Sequence, residues 1–233
     1  MKRTPQINFL ITGTSRGIGL ELTRQVIHAG YTVYALAREP ERSAPLQSLK
    51  QEAAGRLITF AADVLKESQI LMVAEALRGK AIDVLINNAG KYGGAREFEA
   101  IDLNEVQSTI ETNSIAPMRI TRAFLPHLRQ SAQPKLVHIT SLMGSIGDNS
   151  SGGSYGYRMS KAALNMFSKT FAIDHPGVIS IVVHPGWVQT EMGGPNAPLA
   201  PESSAKGILS VIERVTPKES GKFFDYEGDE LPW

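Results

Sequence analysis

Ile7-Asn8-Phe9-Leu10-Ile11-Thr12-Gly13-Thr14-Ser15-Arg16-Gly17-Ile18-Gly19 is the stretch whose reading decides the fold. A short apolar run ends in a glycine-rich turn, and a helical pattern follows from Ile18 to Ala29. Glycines let the backbone turn tightly and let a pyrophosphate approach the free N–H groups and dipole of a helix N-terminus. The spacing is G-x-x-x-G-x-G, not the more usual G-x-G-x-x-G. Alone it reads equally as a nucleotide site or a plain tight turn. Its place after the first strand of a βαβ unit favours the nucleotide, with Gly13, Ser15, Arg16, Gly17, Ile18 and Gly19 as the candidate contacts.

The same alternation runs down the chain. Further apolar runs lie at Tyr31–Ala37, Leu57–Ala61, Val84–Asn87, Lys135–Thr140, Ile179–His184 and Lys222–Phe224. Most show little period-two patterning, as expected of strands buried on both faces. Amphipathic stretches separate them at Pro45–Ala54, Lys66–Leu77, Leu103–Arg129, Tyr155–Asp174 and Pro201–Arg214. Gly30, Gly55, Gly79 and Gly177 fall at or just after helix ends, where a left-handed residue is wanted. The expectation is an α/β fold: a doubly wound parallel sheet of about seven strands, helices on both faces, Rossmann-type, in one domain over residues 1–233. The irregular stretch 186–201, rich in Gly and Pro, is expected to cover a substrate site.

Composition narrows the function. The 233 residues are 42% hydrophobic, enough for a substantial core. With 24 basic and 23 acidic residues the net charge is +1, and no long block of like charge appears. Neither a nucleic-acid nor a membrane-surface partner is favoured. The run after Met1–Gln6 is too short for a signal-peptide core or a membrane span. There is no cysteine, which removes disulfides and thiolate chemistry and is compatible with a cytoplasmic protein. His28, His127, His138, His175 and His184 lack metal-ligand spacing, so structural or surface roles are expected and no metal site.

The end of the second strand speaks to cofactor choice. A carboxylate there would bind a ribose 2′-hydroxyl, whereas an arginine accommodates a 2′-phosphate. The strand ends Ala35-Leu36-Ala37-Arg38, and Arg16 could reach the same phosphate. NADP(H) is therefore favoured over NAD(H). Glu39 and Glu41 keep the ribose alternative open, and Arg38 also reads as a solvated loop charge.

Tyr157 and Lys161 stand four apart, on one face of a helix and one turn from each other. A free phenol has a pKa of about 10. A cation beside it favours the phenolate, so Lys161 is expected to lower the Tyr157 pKa. Tyr-x-x-x-Lys is common on solvated helix faces, and the pair gains weight only from its company.

Thr-Gly-x-x-x-Gly-x-Gly, Asn-Asn-Ala-Gly (87–90), Ser141, Tyr-x-x-x-Lys and Pro-Gly (185–186) occur in the order of the classical short-chain dehydrogenase/reductase family, which the chain resembles over nearly its whole length. Gly147-Asp148-Asn149-Ser150, Tyr157–Lys161, His184-Pro185-Gly186-Trp187-Val188 and Leu231-Pro232-Trp233 resemble its sniffer-like and C-factor-like carbonyl reductase branch. The resemblance implies that Tyr157 is the general acid of carbonyl reduction and Lys161 its partner, which also holds the nicotinamide ribose. Ser141 would donate to the substrate oxygen, and Asn113 would kink its helix and steady a water that relays protons. Asn88, Ala89 and Gly90 would pack against the cofactor, or simply form a strand-to-loop turn. Asp63 and Val64 would meet the adenine, with a helix N-cap as the plainer role of Asp63. Pro185, Gly186 and Val188 would meet the carboxamide, with Thr190 as a further contact, although Pro-Gly also explains itself as a turn.

Ser145 and Tyr155 are the decoys. Ser141 ends a strand and begins the family's Ser-x-x-Gly, while Tyr155 points to another helix face from Lys161 and is expected to line the substrate pocket. Ser141 precedes Tyr157 by 16 residues, a little more than the family norm, with the excess expected within 147–153. Trp187, Met192 and Tyr155 point to an apolar or aromatic small-molecule carbonyl substrate. The resemblance also implies a homo-oligomer, a dimer or tetramer. The leading expectation is an NADPH-dependent carbonyl reductase. The alternative is an NAD(P)-binding signalling protein of C-factor type with incidental turnover. An epimerase or dehydratase is disfavoured, because only 49 residues follow His184.

Overall fold

In the computed structural model, which describes residues 7–233, seven parallel strands form one sheet. The expectations for Met1–Gln6 lie outside the described residues. The strands are β1 (Asn8–Thr12), β2 (Thr32–Ala37), β3 (Leu57–Ala61), β4 (Val84–Asn87), β5 (Lys135–Ile139), β6 (Ile179–His184) and β7 (Phe223–Asp225), in the order β3-β2-β1-β4-β5-β6-β7. The order reverses between β1 and β4, a topological switch point whose carboxyl edge opens a crevice.

Side-chain alternation along each strand feeds two cores. Phe9 and Ile11 of β1 pack with Leu22, Val26 and Ile27 of helix α1 (Gly17–His28), Leu46 and Leu49 of α2 (Ala44–Glu52), and Ile208 and Val211 of α7 (Pro201–Arg214). Leu10, between them, joins Ile70 and Val73 of α3 (Glu67–Ala76), Ile120 and Phe124 of α5 (Ala116–Leu128), and Phe171 of α6 (Tyr155–Asp174). This two-sided burial is why β1, β2, β4, β5 and β6 read as nearly continuous apolar runs. β3, at the sheet edge, is only half buried.

Three local expectations need correction. The pattern over Leu103–Arg129 is not one α-helix: α4 (Leu103–Ile110) passes into a π turn at Glu111–Ile115 and then into α5. Pro117 has no N–H to offer the carbonyl four residues back, that of Asn113, and the turn widens there. Gly30, Gly55 and Gly79 adopt positive φ, but Gly177 does not. α6 instead stops at His175, because Pro176 disfavours a helical residue before it. Asp63 does not cap α3, whose N-cap is Lys66. Its Oδ1 accepts from Leu65 N at 2.9 Å in the preceding turn.

Candidate active site

A cleft of about 1100 Å³ lies at the carboxyl ends of β1, β2 and β4. Its floor is tied together by Thr12, whose Oγ1 accepts from Asn88 N at 3.1 Å and Ala89 N at 3.0 Å. Asn88 Nδ2 returns bonds to the carbonyls of Thr12 (2.9 Å) and Gly13 (3.2 Å). This close approach excludes side chains. A Cβ at Gly13 would lie 2.9 Å from Ala89 Cα, and one at Gly19 would collide with the Gly13 carbonyl. α1 begins at Gly17 with no side-chain cap and no acid in its first turn. Its N-terminal N–H groups therefore suit an anion of the pyrophosphate kind. Glycine cradle, uncapped helix and cleft together fit a dinucleotide.

Gly13, Ser15, Arg16, Gly17, Ile18 and Gly19 all line this cleft, as do Asn88, Ala89 and Gly90. Arg38, Asp63 and Val64 line its far end. Arg38 is exposed and has no ion-pair partner among the described residues. Glu39 and Glu41 are otherwise engaged, with Arg42 at 3.0 Å and Lys50 at 3.8 Å. Arg16 pairs with Glu191. Pro185 and Thr190 also line the cleft, but Gly186 and Val188 do not. A Cβ at Gly186 would crowd Leu199 and Tyr226, while Val188 is buried and bridges Leu199.

Tyr157 and Lys161 share one face of α6, are both buried, and line the same cleft. Lys161 Nζ donates to Ile139 O at 2.8 Å and stands 5.7 Å from the centre of the Tyr157 ring. Ser141, buried two residues past the end of β5, hydrogen-bonds the Tyr157 side chain. Asn113, in the π turn, grips the backbone of Lys91: Nδ2 donates to its carbonyl (2.8 Å) and Oδ1 accepts from its N–H (2.9 Å). Asn113 Nδ2 also donates to Ser160 Oγ at 2.9 Å, and Ser160 Oγ donates to the Tyr157 carbonyl at 2.7 Å. The wide turn and the catalytic helix are thus bonded into one unit. A Cβ on Gly90 would lie 3.1 Å from Asn113 Oδ1 and 3.8 Å from Lys161 Nζ, so these two polar groups converge beside the cleft.

The electrostatics reverse one expectation. Burial pushes the Tyr157 phenol up to about 12, opposed only in part by the Ser141 hydrogen bond. Lys161 is not among the groups that lower it, and burial lowers Lys161 itself to about 8. Loss of water disfavours the charged form of each group, and here it outweighs their mutual influence. Behind them His138 is fully buried and pushed down to about 3 by burial and by Lys161.

The decoys separate cleanly. Ser145 Oγ donates to the Trp233 carbonyl at 3.2 Å and accepts from Asp148 N at 3.0 Å, which is a structural role. Tyr155 is 40% exposed and meets Phe98 edge-on at 5.3 Å. The extra length before Tyr157 is stapled by Arg158, which donates to the carbonyls of Gly152 (3.2 Å), Gly153 (3.1 Å) and Met143 (3.3 Å). Sequence reasoning missed Tyr92, whose ring lies 4.8 Å from that of Tyr157 and whose hydroxyl is 2.5 Å from Ser154 Oγ. Its position just past Gly90 was the available signal. Glu191 was missed as well, although it directly follows Thr190.

Residues 8–198 match the short chain dehydrogenase family. The C-signal protein of Myxococcus xanthus is 47% identical over 154 residues, which is 65% of this chain and 93% of that protein. Carbonyl reductase Sniffer of D. melanogaster superposes with a TM-score of 0.92 at 28% identity, covering 98% of this chain and all of its own. The NADPH-bound carbonyl reductase from chicken fatty liver superposes with a TM-score of 0.90 at 31% identity over the same shares.

Proposed function

The chain belongs to the short-chain dehydrogenase family, and from that premise we propose that it is an NADPH-dependent reductase of small carbonyl compounds. The observation that carries this reading is the buried pair Tyr157 and Lys161 in the same cleft as the glycine cradle, with buried Ser141 hydrogen-bonded to the Tyr157 side chain. The turn Gly13–Gly19 would hold the pyrophosphate, Asp63 and Val64 the adenine, Asn88–Gly90 the face of the cofactor, and Pro185 and Thr190 the carboxamide end. When bound, the cofactor supplies the hydride.

The chain supplies the rest. Charge builds on the substrate oxygen as the carbonyl carbon is reduced, and a donor aimed at that oxygen stabilises it. Ser141 Oγ is that donor. Tyr157 gives its proton to the same oxygen, the general-acid role that reduction requires; burial keeps the phenol protonated but makes it a weaker acid, which the Ser141 hydrogen bond offsets in part. Lys161 holds the nicotinamide ribose and remains a cation below about pH 8, beside the phenolate that proton donation leaves. Asn113 and Lys161, whose Oδ1 and Nζ both lie near Gly90, would steady the water that relays the proton back to Tyr157. Tyr155, Trp187 and Met192 are exposed apolar groups of the proposed substrate wall, which suits an apolar or aromatic carbonyl.

NADP(H) preference rests on Arg38, unpaired at the cleft while its acidic neighbours are occupied. Titration of NADPH and NADH onto wild type and Arg38→Ala tests it. A lost charge-assisted contact predicts NADPH binding weaker by roughly ten- to a hundredfold, with NADH little changed. Equal loss for both cofactors removes the assignment.

The 47% identity to C-signal favours one second reading, a signalling protein that binds NAD(P) with incidental turnover. Fold does not decide between these roles. A Tyr157→Phe chain that keeps its biological effect supports signalling; one that loses effect and turnover together supports the enzyme.

A further inference from the structure

The glycine turn and the loop over the cleft meet at one ion pair. Between β6 and α7 the loop is cross-braced. Gln189 N donates to Leu199 O at 2.8 Å, Trp187 Nε1 to Gly193 O at 2.8 Å, and Gly193 N to Thr190 Oγ1 at 3.1 Å. These bonds hold residues 190–192 at the cleft. Thr190 comes so near the glycine turn that a Cβ on Gly17 would lie 3.3 Å from its Cγ2. From the next position Glu191 reaches across to Arg16 and pairs with it. Both side chains line the cleft, and they are 66% and 71% exposed. An ion pair so open to solvent is weak, and readily exchanged for a better partner.

A phosphate monoester is such a partner. It carries up to about two negative charges and three strong acceptor oxygens, against one charge and two oxygens on a carboxylate. Arg16 cannot give its guanidinium fully to both. Resting on the reading of Arg16 and Arg38 as the 2′-phosphate site, we propose that Glu191 is a specificity-determining residue: it latches Arg16 to the loop and yields it to the cofactor 2′-phosphate. NADP(H) then opens the latch, while NAD(H), which lacks that phosphate, leaves it closed. The coupling is reciprocal, so whatever affinity the latch takes from NADPH, NADPH takes from the latch. Glu191 also sets a negative charge near the pyrophosphate, which weakens both dinucleotides alike. That part cancels in the ratio of their dissociation constants.

The test is the ratio of the NADH Kd to the NADPH Kd. It is measured at low ionic strength, where exposed charges are least screened, in wild type, Glu191→Gln, Arg16→Gln, the double variant and Arg38→Ala. Gln is isosteric with Glu at an exposed position and keeps the fold. The latch predicts that Glu191→Gln raises the ratio roughly two- to fivefold, the range open to an exposed ion pair. In the Arg16→Gln background the same substitution leaves it unchanged. A ratio unmoved by Glu191→Gln, or moved equally in both backgrounds, overturns the latch while Arg16→Gln and Arg38→Ala still lower it. A ratio that neither arginine substitution lowers overturns the 2′-phosphate reading itself.

Discussion

At the scale of the residue, Tyr157 and Lys161 show what spacing conveys and what it hides. Their four-residue separation placed both on one buried face of α6, as the sequence led one to expect. The direction of the Tyr157 shift was not legible, because desolvation depends on what the rest of the chain stacks over the pair, including Tyr92. The shifts have a consequence for stability. An exposed lysine titrates near 10.5 and the buried Lys161 near 8. Between those values the unfolded chain binds more protons than the folded one, so the cost of burying the charged Lys161 is relieved as pH rises from about 8. Tyr157 works the opposite way above about pH 10, where the unfolded phenol loses its proton and the folded one, at about 12, keeps it. Urea unfolding is therefore expected to show stability rising from pH 8 towards 10, with the rise absent in Lys161→Met. A wild type and variant that run parallel across that range would refute the assignment.

At the scale of the element, apolar runs located all seven strands to within a residue or two, because burial on both faces leaves little room for polar positions. Helix interiors were harder. Periodicity over Leu103–Arg129 persists through the π turn, so the pattern alone reads as one helix; Pro117 was the signal that the ladder breaks. The break turns Asn113 towards both Lys91 and Ser160. Asn113→Ala deprives the Lys91 N–H, the Lys91 carbonyl and the buried Ser160 hydroxyl of their partner. Each unsatisfied group costs about 1–3 kcal/mol, so a loss of roughly 2–5 kcal/mol is expected in urea unfolding, with weakened NADPH binding as the Lys91 backbone comes loose. A loss under about 0.5 kcal/mol would mean that water replaces the amide without penalty. The loop at 186–201 was legible as a cover for the site but not in its bracing. Gly186 and Val188, read as cofactor contacts in the linear motif, also brace the loop: a Cβ at Gly186 would crowd Leu199 and Tyr226, and Val188 bridges Leu199.

At the scale of the whole molecule, the glycine turn, the Asn-Asn-Ala-Gly strand end and the tyrosine helix converge although Lys161 stands 148 positions after Gly13. Parallel topology does this: every strand ends at the same edge, and the order reverses between β1 and β4. The fold was legible because its period is repeated seven times. The Arg16–Glu191 and Tyr92–Tyr157 contacts were not, since each joins segments far apart in sequence whose approach only the assembled sheet determines. Among the described residues no helix is long and apolar enough to cross a membrane. The central claim is that this cleft reduces a carbonyl with Tyr157 as the acid. The direct measurement is NADPH oxidation with a panel of apolar and aromatic carbonyl compounds, wild type against Tyr157→Phe, with NADPH binding measured on both. The account predicts turnover by wild type and a fall of roughly a hundred- to ten-thousandfold in the variant, with cofactor affinity retained. A variant that binds NADPH and turns over as fast as wild type would contradict it.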